Sequence, residues 1–180
     1  MHLKNWGSAP CRIFTGMYIE RGVSMGNSVL LSVSLGTGCY RHIQISENAT
    51  LYELSSVILA AVGFDDDHLH SFFMNNRAWD SEYEYVRPSE GDLDGVRGYS
   101  DEVELSNFRL RKGDKFLYIF DYGDEWRFQV KVLRVIDEQT ETPIILKSVG
   151  VVYQYGSDED DEDDEDDEDE DDEDDDGEYF

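Results

Sequence analysis

Cysteine is scarce in this chain of 180 residues: Cys11 and Cys39 are the only two. They form neither a Cys-x-x-Cys pair nor a dense disulfide framework, so a disulfide-built secreted scaffold is excluded and a reduced, cytoplasmic setting is expected. Long apolar runs are missing too. Nothing approaches the roughly 20 consecutive residues needed to span a bilayer, and the N-terminus has no basic region followed by an uninterrupted apolar core, so no membrane association is expected. Positive charge is the third shortage, with 15 Lys and Arg against 42 Asp and Glu for a net charge of −27. Such a balance disfavours phosphate contacts, and direct nucleic-acid binding is not expected.

The negative charge is unevenly placed. Every residue from Asp158 to Asp176 is acidic, and with Glu178 the tail holds 20 of the 42 Asp and Glu. The body up to Ser157 keeps 22 acidic residues against all 15 basic ones, a net charge of only −7. Like charges repel and the run has no apolar surface to bury, so residues 156–180 read as a disordered, solubilising appendage. It could also attract basic proteins or weakly collect Ca²⁺ and Mg²⁺. Residues 1–27 mix Gly, Ser and single apolar residues without a period and read as a lead-in with at most one short strand near 12–19. Residues 28–155 form the domain.

Within that domain the chain alternates sheet and helix signals. SVLLSVSL and CYRHIQI flank Gly36-Thr37-Gly38 and predict a hairpin. Thr50 and Glu53 stand in the Thr-x-x-Glu relation of a capping box. Leu51, Leu54, Val57, Ile58 and Ala61 then follow helical spacing up to Gly63, a suitable left-handed stop. His68 to Met74 alternates as a third strand. Asp80 to Ser100, rich in Gly, Asp, Glu and Tyr, reads as a long surface loop of the kind that often carries function. Leu105, Phe108 and Leu110 anchor a connector into KFLYIFDYGDEWRFQVKVLRVI, two strands joined at Asp121-Tyr122-Gly123-Asp124-Glu125-Trp126. In its second arm Trp126, Phe128, Val130 and Val132 share one face, while Arg127, Gln129 and Lys131 share the other. Gly123 is expected to supply the backbone freedom of the turn, with Asp121 and Asp124 bonding its amides. Pro143 to Val152 reads as a last strand.

Three blocks, YRHIQISENATLYELSSVILAAVGF, HLHSFF and KFLYIFDYGDEWRFQV, resemble the plasmid pRiA4b ORF-3-like family, also labelled passenger proteins of transposable elements. The most specific match is the turn, Asp121, Tyr122, Gly123, Asp124 and Trp126 preceded by Tyr118; His68 matches the His of the family's His-Leu block. Two features depart from the family pattern. Tyr40-Arg41 stands where members carry a Trp-Arg pair after a Pro-rich entry, and VVYQYGS with the acidic run replaces a Pro-Pro-Glu-Asp ending. The resemblance implies a compact α+β roll with an antiparallel sheet and one main packed helix, and it implies no agreed activity. No Ser nucleophile set among several Arg supports the resolvase label sometimes attached to the family.

Candidate sites follow from residue type. His68, His70, Asp121 and Asp124 are the nitrogen and carboxylate donors a divalent metal uses, and two histidines two apart on a strand share a face. The competing reading is strand histidines and turn-forming aspartates, and no cofactor is otherwise expected. The aromatic set Tyr118, Phe120, Tyr122, Trp126 and Phe128 reads as core and cross-strand pairing, or as a stacking surface. Arg109, Arg111, Lys112, Lys115, Lys131 and Arg134 are the one basic concentration, able to meet an acidic partner or the tail. Three functions are therefore carried forward. The first is a non-enzymatic module that binds a protein partner through its sheet and the loop Asp80 to Ser100. The others are a metal-binding protein or metal-dependent hydrolase, and a DNA-associated accessory protein of a mobile element whose tail is autoinhibitory.

Overall fold

A computed structural model of the chain describes residues 26–88 and 95–155. The strand expected near 12–19 and the acidic tail lie outside the described residues. The elements run β1 (Ser28–Ser34), β2 (Tyr40–Ser46), α1 (Leu51–Val62), β3 (His70–Phe73), β4 (Glu84–Val86), β5 (Gly98–Tyr99), β6 (Lys115–Phe120), β7 (Trp126–Ile136) and β8 (Ile144–Val149), with short 3₁₀ turns at Ser81–Tyr83 and Leu105–Phe108. The eight strands form one sheet in the order β5-β4-β3-β6-β7-β1-β2-β8. Every pairing is antiparallel except β4 with β5, which is parallel. The fold is α+β, as expected, with a mixed rather than purely antiparallel sheet.

Local chemistry explains the helix. Thr50 accepts a hydrogen bond from the Glu53 amide at 3.1 Å, and the Glu53 carboxylate accepts one from the Thr50 amide at 2.8 Å. Gly63 ends the helix at φ 84°, donating its amide to the Leu59 carbonyl. The buried stripe Leu51, Leu54, Ile58 and Leu59 packs on the inner face of the sheet against Val29, Leu31, Ile43, Phe72, Tyr118, Phe128 and Val130. Each such side chain contributes about 1.5–3 kcal/mol on burial. Arg41, 6 % exposed on β2, donates to the Ala61 carbonyl at 2.7 Å and to the Val149 carbonyl at 2.7 Å. One guanidinium thus ties the C-terminal end of α1, where carbonyls lack partners, to the end of β8.

Several features depart from the sequence reading. The third strand begins at His70, leaving His68 in the approach to it, and its four residues are all buried. The segment read as the loop Asp80 to Ser100 contains β4 and β5, strands too short to show a period. In the β6–β7 turn the positive φ angles belong to Asp121 (57°) and Glu125 (51°), and Gly123 is not among the positive-φ residues. The Asp121 carboxylate accepts the Gly123 amide at 2.9 Å and its carbonyl accepts the Glu125 amide at 2.7 Å. These self-bonds make the left-handed conformation tolerable for an aspartate.

Candidate functional site

The turn divides its residues between the two faces of the sheet. Tyr122 folds onto the outer face, where its hydroxyl lies 2.7 Å from Ser71 Oγ and donates to the His70 carbonyl at 3.1 Å. Ser71 donates to the Glu84 carboxylate at 2.7 Å, and the Trp79 ring stands edge-on to Tyr122 at 5.5 Å and to Phe73 at 5.6 Å. Burial raises the Tyr122 pKa, so the phenol stays protonated and serves as a donor. Trp126 turns the other way and meets Phe64 edge-on at 5.0 Å. Tyr118, Phe120 and Phe128 are fully buried on the inner face. The aromatic set is therefore core, with Tyr122 as a separate outer anchor. Asp124 is exposed.

The indole Nε1 of Trp126 is buried without a hydrogen-bond partner among the described residues. Leaving a buried donor unpaired costs about 1–3 kcal/mol. Trp126→Phe removes that donor while keeping the contact with Phe64, so the expected change in unfolding free energy is within about 1 kcal/mol, against the 3–5 kcal/mol typical of Trp→Ala in a core. Urea titration of the two variants checks this. A loss from Trp126→Phe as large as that from Trp126→Ala would show that the indole nitrogen is engaged.

The four expected metal ligands are not gathered. His68 Nε2 is 3.5 Å from Asp121 Oδ2 and 3.6 Å from Asp67 Oδ1. His70 belongs elsewhere: its Nδ1 is 3.2 Å from Ser55 Oγ and its Nε2 is 3.0 Å from Ser100 Oγ. Both ring nitrogens are occupied, and the side chain is fully buried. Among the described residues no group of three His, Cys, Asp or Glu side chains is placed to hold an ion. His68 and His70 are two apart, as the spacing required, but the second points into a hydrogen-bonded core rather than toward a coordination sphere.

That core network escaped the sequence reading. Tyr118, Ser55, His70 and Ser100, all buried, form one chain of contacts, with Ser55 Oγ 2.7 Å from the Tyr118 hydroxyl. Burial, with a lesser contribution from the Arg87 charge, lowers the His70 pKa to about 3, and burial pushes the Tyr118 phenol up. Both groups are neutral at physiological pH. Protons are shared consistently if Tyr118 donates to Ser55, Ser55 to His70 Nδ1, and His70 Nε2–H to Ser100, leaving the imidazole as one acceptor and one donor. A serine beside a histidine resembles a nucleophile and its base, but with His70 and Ser100 fully buried and Ser55 1 % exposed the pair binds α1 to the sheet.

An open concavity lies at the β4–β5 side. A cleft of about 900 Å³ is lined by Met74, Glu82, Tyr83, Tyr85, Arg97 and Phe108, among others. A second depression of about 350 Å³ shares Met74, Tyr83 and Phe108 with it and continues past Leu110 to Lys115 and Phe116. Tyr85 and Phe108 pack edge-on at 5.4 Å in its wall. Tyr83 is 48 % exposed. The segment singled out as a functional loop thus builds one wall of the cleft; Met74 and Phe108 come from elements distant in sequence. Of the six expected basic residues, Lys115, Lys131 and Arg134 are exposed on strands β6 and β7, while Arg109, Arg111 and Lys112 sit exposed in the connector to β6.

One mixed sheet covered on its inner face by one helix, with an open cleft at its β4–β5 side, defines a small α+β domain. The sequence profile of the plasmid pRiA4b ORF-3-like protein family matches residues 29–152, and the chain belongs to that family. It is 29 % identical over 115 residues to an uncharacterized protein, y4hQ, of Sinorhizobium fredii, in a match covering 61 % of this chain and 54 % of that protein. The chain therefore spans about half the length of this curated relative. The crystal structure of a protein of unknown function, MM3350 from Methanosarcina mazei Go1, is similar at a TM-score of 0.54 and 28 % identity, over 68 % of this chain and 70 % of that one. Among the described residues no helix is long and apolar enough to cross a membrane.

Proposed function

We propose that this protein is a non-enzymatic interaction module that binds an extended segment of a partner protein in the cleft between the β4–β5 edge and the 3₁₀ turn Leu105–Phe108. The continuity of the two depressions through Met74, Tyr83 and Phe108 carries this reading. Two connected depressions lined by aromatic and polar side chains suit an extended polypeptide better than a compact substrate. Glu82 and Arg97 place opposite charges on its lining, which would fix the direction of a bound chain. The groups with the most perturbed protonation among buried residues, His70 and Tyr118, are sealed in the core and face no cleft. The acidic run adds solubility and long-range attraction for basic partners.

Display selection of peptides on the full-length protein tests this. Selected peptides should lose at least about tenfold in affinity on Tyr83→Ala, about 1.4 kcal/mol, because exposed aromatics at a cleft dominate binding energy. Circular dichroism of the variant confirms that it is folded. Affinity unchanged by both Tyr83→Ala and Arg97→Glu, or a selection that yields no binder, would contradict the proposal.

A further inference from the structure

The outer face of the sheet segregates charge in a way the overall composition conceals. Strands β1, β2, β6, β7 and β8 contain no Asp or Glu, in a chain that has 42 of them. The registers align a row across these five strands: Lys115 opposite Lys131, Lys131 opposite Ser32, Ser32 opposite His42, and His42 opposite Lys147. Arg134 lies opposite Leu30 on the same face, past the bulge between Leu30 and Leu31. In β7 these positions alternate with the buried Phe128, Val130 and Val132, so the row points away from α1. Lys147 Nζ sits over the Tyr40 ring at 5.0 Å.

Two exposed lysines directly opposite one another, Lys115 and Lys131, destabilise a strand pair unless negative charge is supplied. No carboxylate of the described residues forms an ion pair with either lysine; the ion pairs use His68, Arg87 and Arg127. The nearest carboxylate in sequence, Asp114, is held by the Arg111 amide at 2.8 Å. At the usual strand spacing the row from Lys115 to Lys147 is about 19 Å long.

We infer that the outer face of these five acid-free strands is a binding site for a linear polyanion, and that its resident occupant is the chain's own acidic run, residues 158–176. Charge complementarity is one argument and reach is the other. The last described residues are anchored at the turn end of the sheet: Tyr155 donates to Asp67 at 2.5 Å and Gln154 Oε1 accepts the Asp65 amide at 2.7 Å, and Asp67 and Asp121 both flank His68. From there to the lysine row is about the length of β6, some 17–20 Å. A Gly-rich segment of about 20 residues would have an end-to-end distance near 25 Å, and a run of like charges is more extended than that, so the acidic run is long enough to reach the row. The carboxylates at its exit, Asp65, Asp66, Asp67 and Asp121, repel it from that end. An outside polyanion then binds only by displacing the tail, at a cost set by the tail's effective concentration.

Zero-length carbodiimide cross-linking of the full-length protein, mapped by mass spectrometry, tests this inference. Lys115, Lys131 and Lys147 should couple to the peptide holding residues 158–176 within single molecules. Yield should fall several-fold between about 0.1 M and about 1 M salt, as the Debye length shrinks from about 10 Å to about 3 Å. Lys115→Gln with Lys131→Gln should also lower the yield at Lys147 several-fold, because the row acts together. Links from these lysines to body carboxylates instead, links only between differently isotope-labelled copies, or no links in folded protein would each overturn the assignment. A single-stranded oligonucleotide that binds the full chain without lowering the tail cross-links would overturn it as well.

Discussion

Replacing His70 by alanine should cost about 3–5 kcal/mol of unfolding free energy, among the largest losses available to a single substitution in this fold. The imidazole is fully buried and bonded through both nitrogens to Ser55 and Ser100. Its removal leaves a cavity and two buried hydroxyls short of a partner. The same site should govern the acid limb of stability. The folded pKa, about 3, lies below the ordinary value near 6.5, so between those values the unfolded chain binds a proton that the folded chain excludes. Stability is then complete above about pH 6.5 and falls as pH drops, by up to about 1.4 kcal/mol per unit. From about pH 7.5 to about pH 5 the loss should be about 2 kcal/mol, in a range where carboxylates with ordinary pKa values barely titrate. Urea unfolding at a series of pH values reads this directly. His70→Gln, which keeps hydrogen-bonding groups without titrating, should flatten the slope; an unchanged slope would place the titrating group elsewhere.

Gly150→Ala should cost about 2–4 kcal/mol, combining a clash with a left-handed backbone. A Cβ at Gly150 would stand 2.5 Å from the Gly38 carbonyl oxygen and 2.9 Å from Cys39 Cα, both backbone atoms that no side-chain rotation moves, and the residue has φ 74°. This contact seats the end of β8 on the β1–β2 turn, next to the bonds from Arg41. Gly36 provides the control: its φ is 78°, but nothing lies within 4 Å of an added Cβ. Gly36→Ala should therefore cost only the conformational penalty, about 1 kcal/mol. Thermal unfolding of the pair separates the two contributions, and equal losses would mean that the approach to Gly38 relaxes.

Local signals made much of this fold legible. The Thr50–Glu53 box, the apolar stripe of α1, the Gly36-Thr37-Gly38 connection and the alternation of β7 all appear in the structure because each is determined by neighbours in sequence. What escaped depends on register and distance. The bonding of His70 to Ser55 and Ser100 spans 15 and 30 residues, and the sequence offers only a histidine among strand residues. β4 and β5 have 3 and 2 residues, too few for a period-two pattern. Gly123 was the natural choice for the strained position in the turn, yet the self-bonded Asp121 takes it. The absence of acid from five strands was readable in the chain, but only the pairing registers turn scattered lysines into a row. The cleft likewise joins residues that the sequence keeps apart, Met74, Tyr83, Arg97 and Phe108.

Hydrogen–deuterium exchange of the full-length protein, with and without a peptide selected on it, tests the binding role most directly. The account predicts new protection at residues 81–85, 95–97 and 103–108, with the β6–β7 turn at 121–126 unchanged. Protection centred on that turn, or none in the cleft while the peptide is bound, would contradict it.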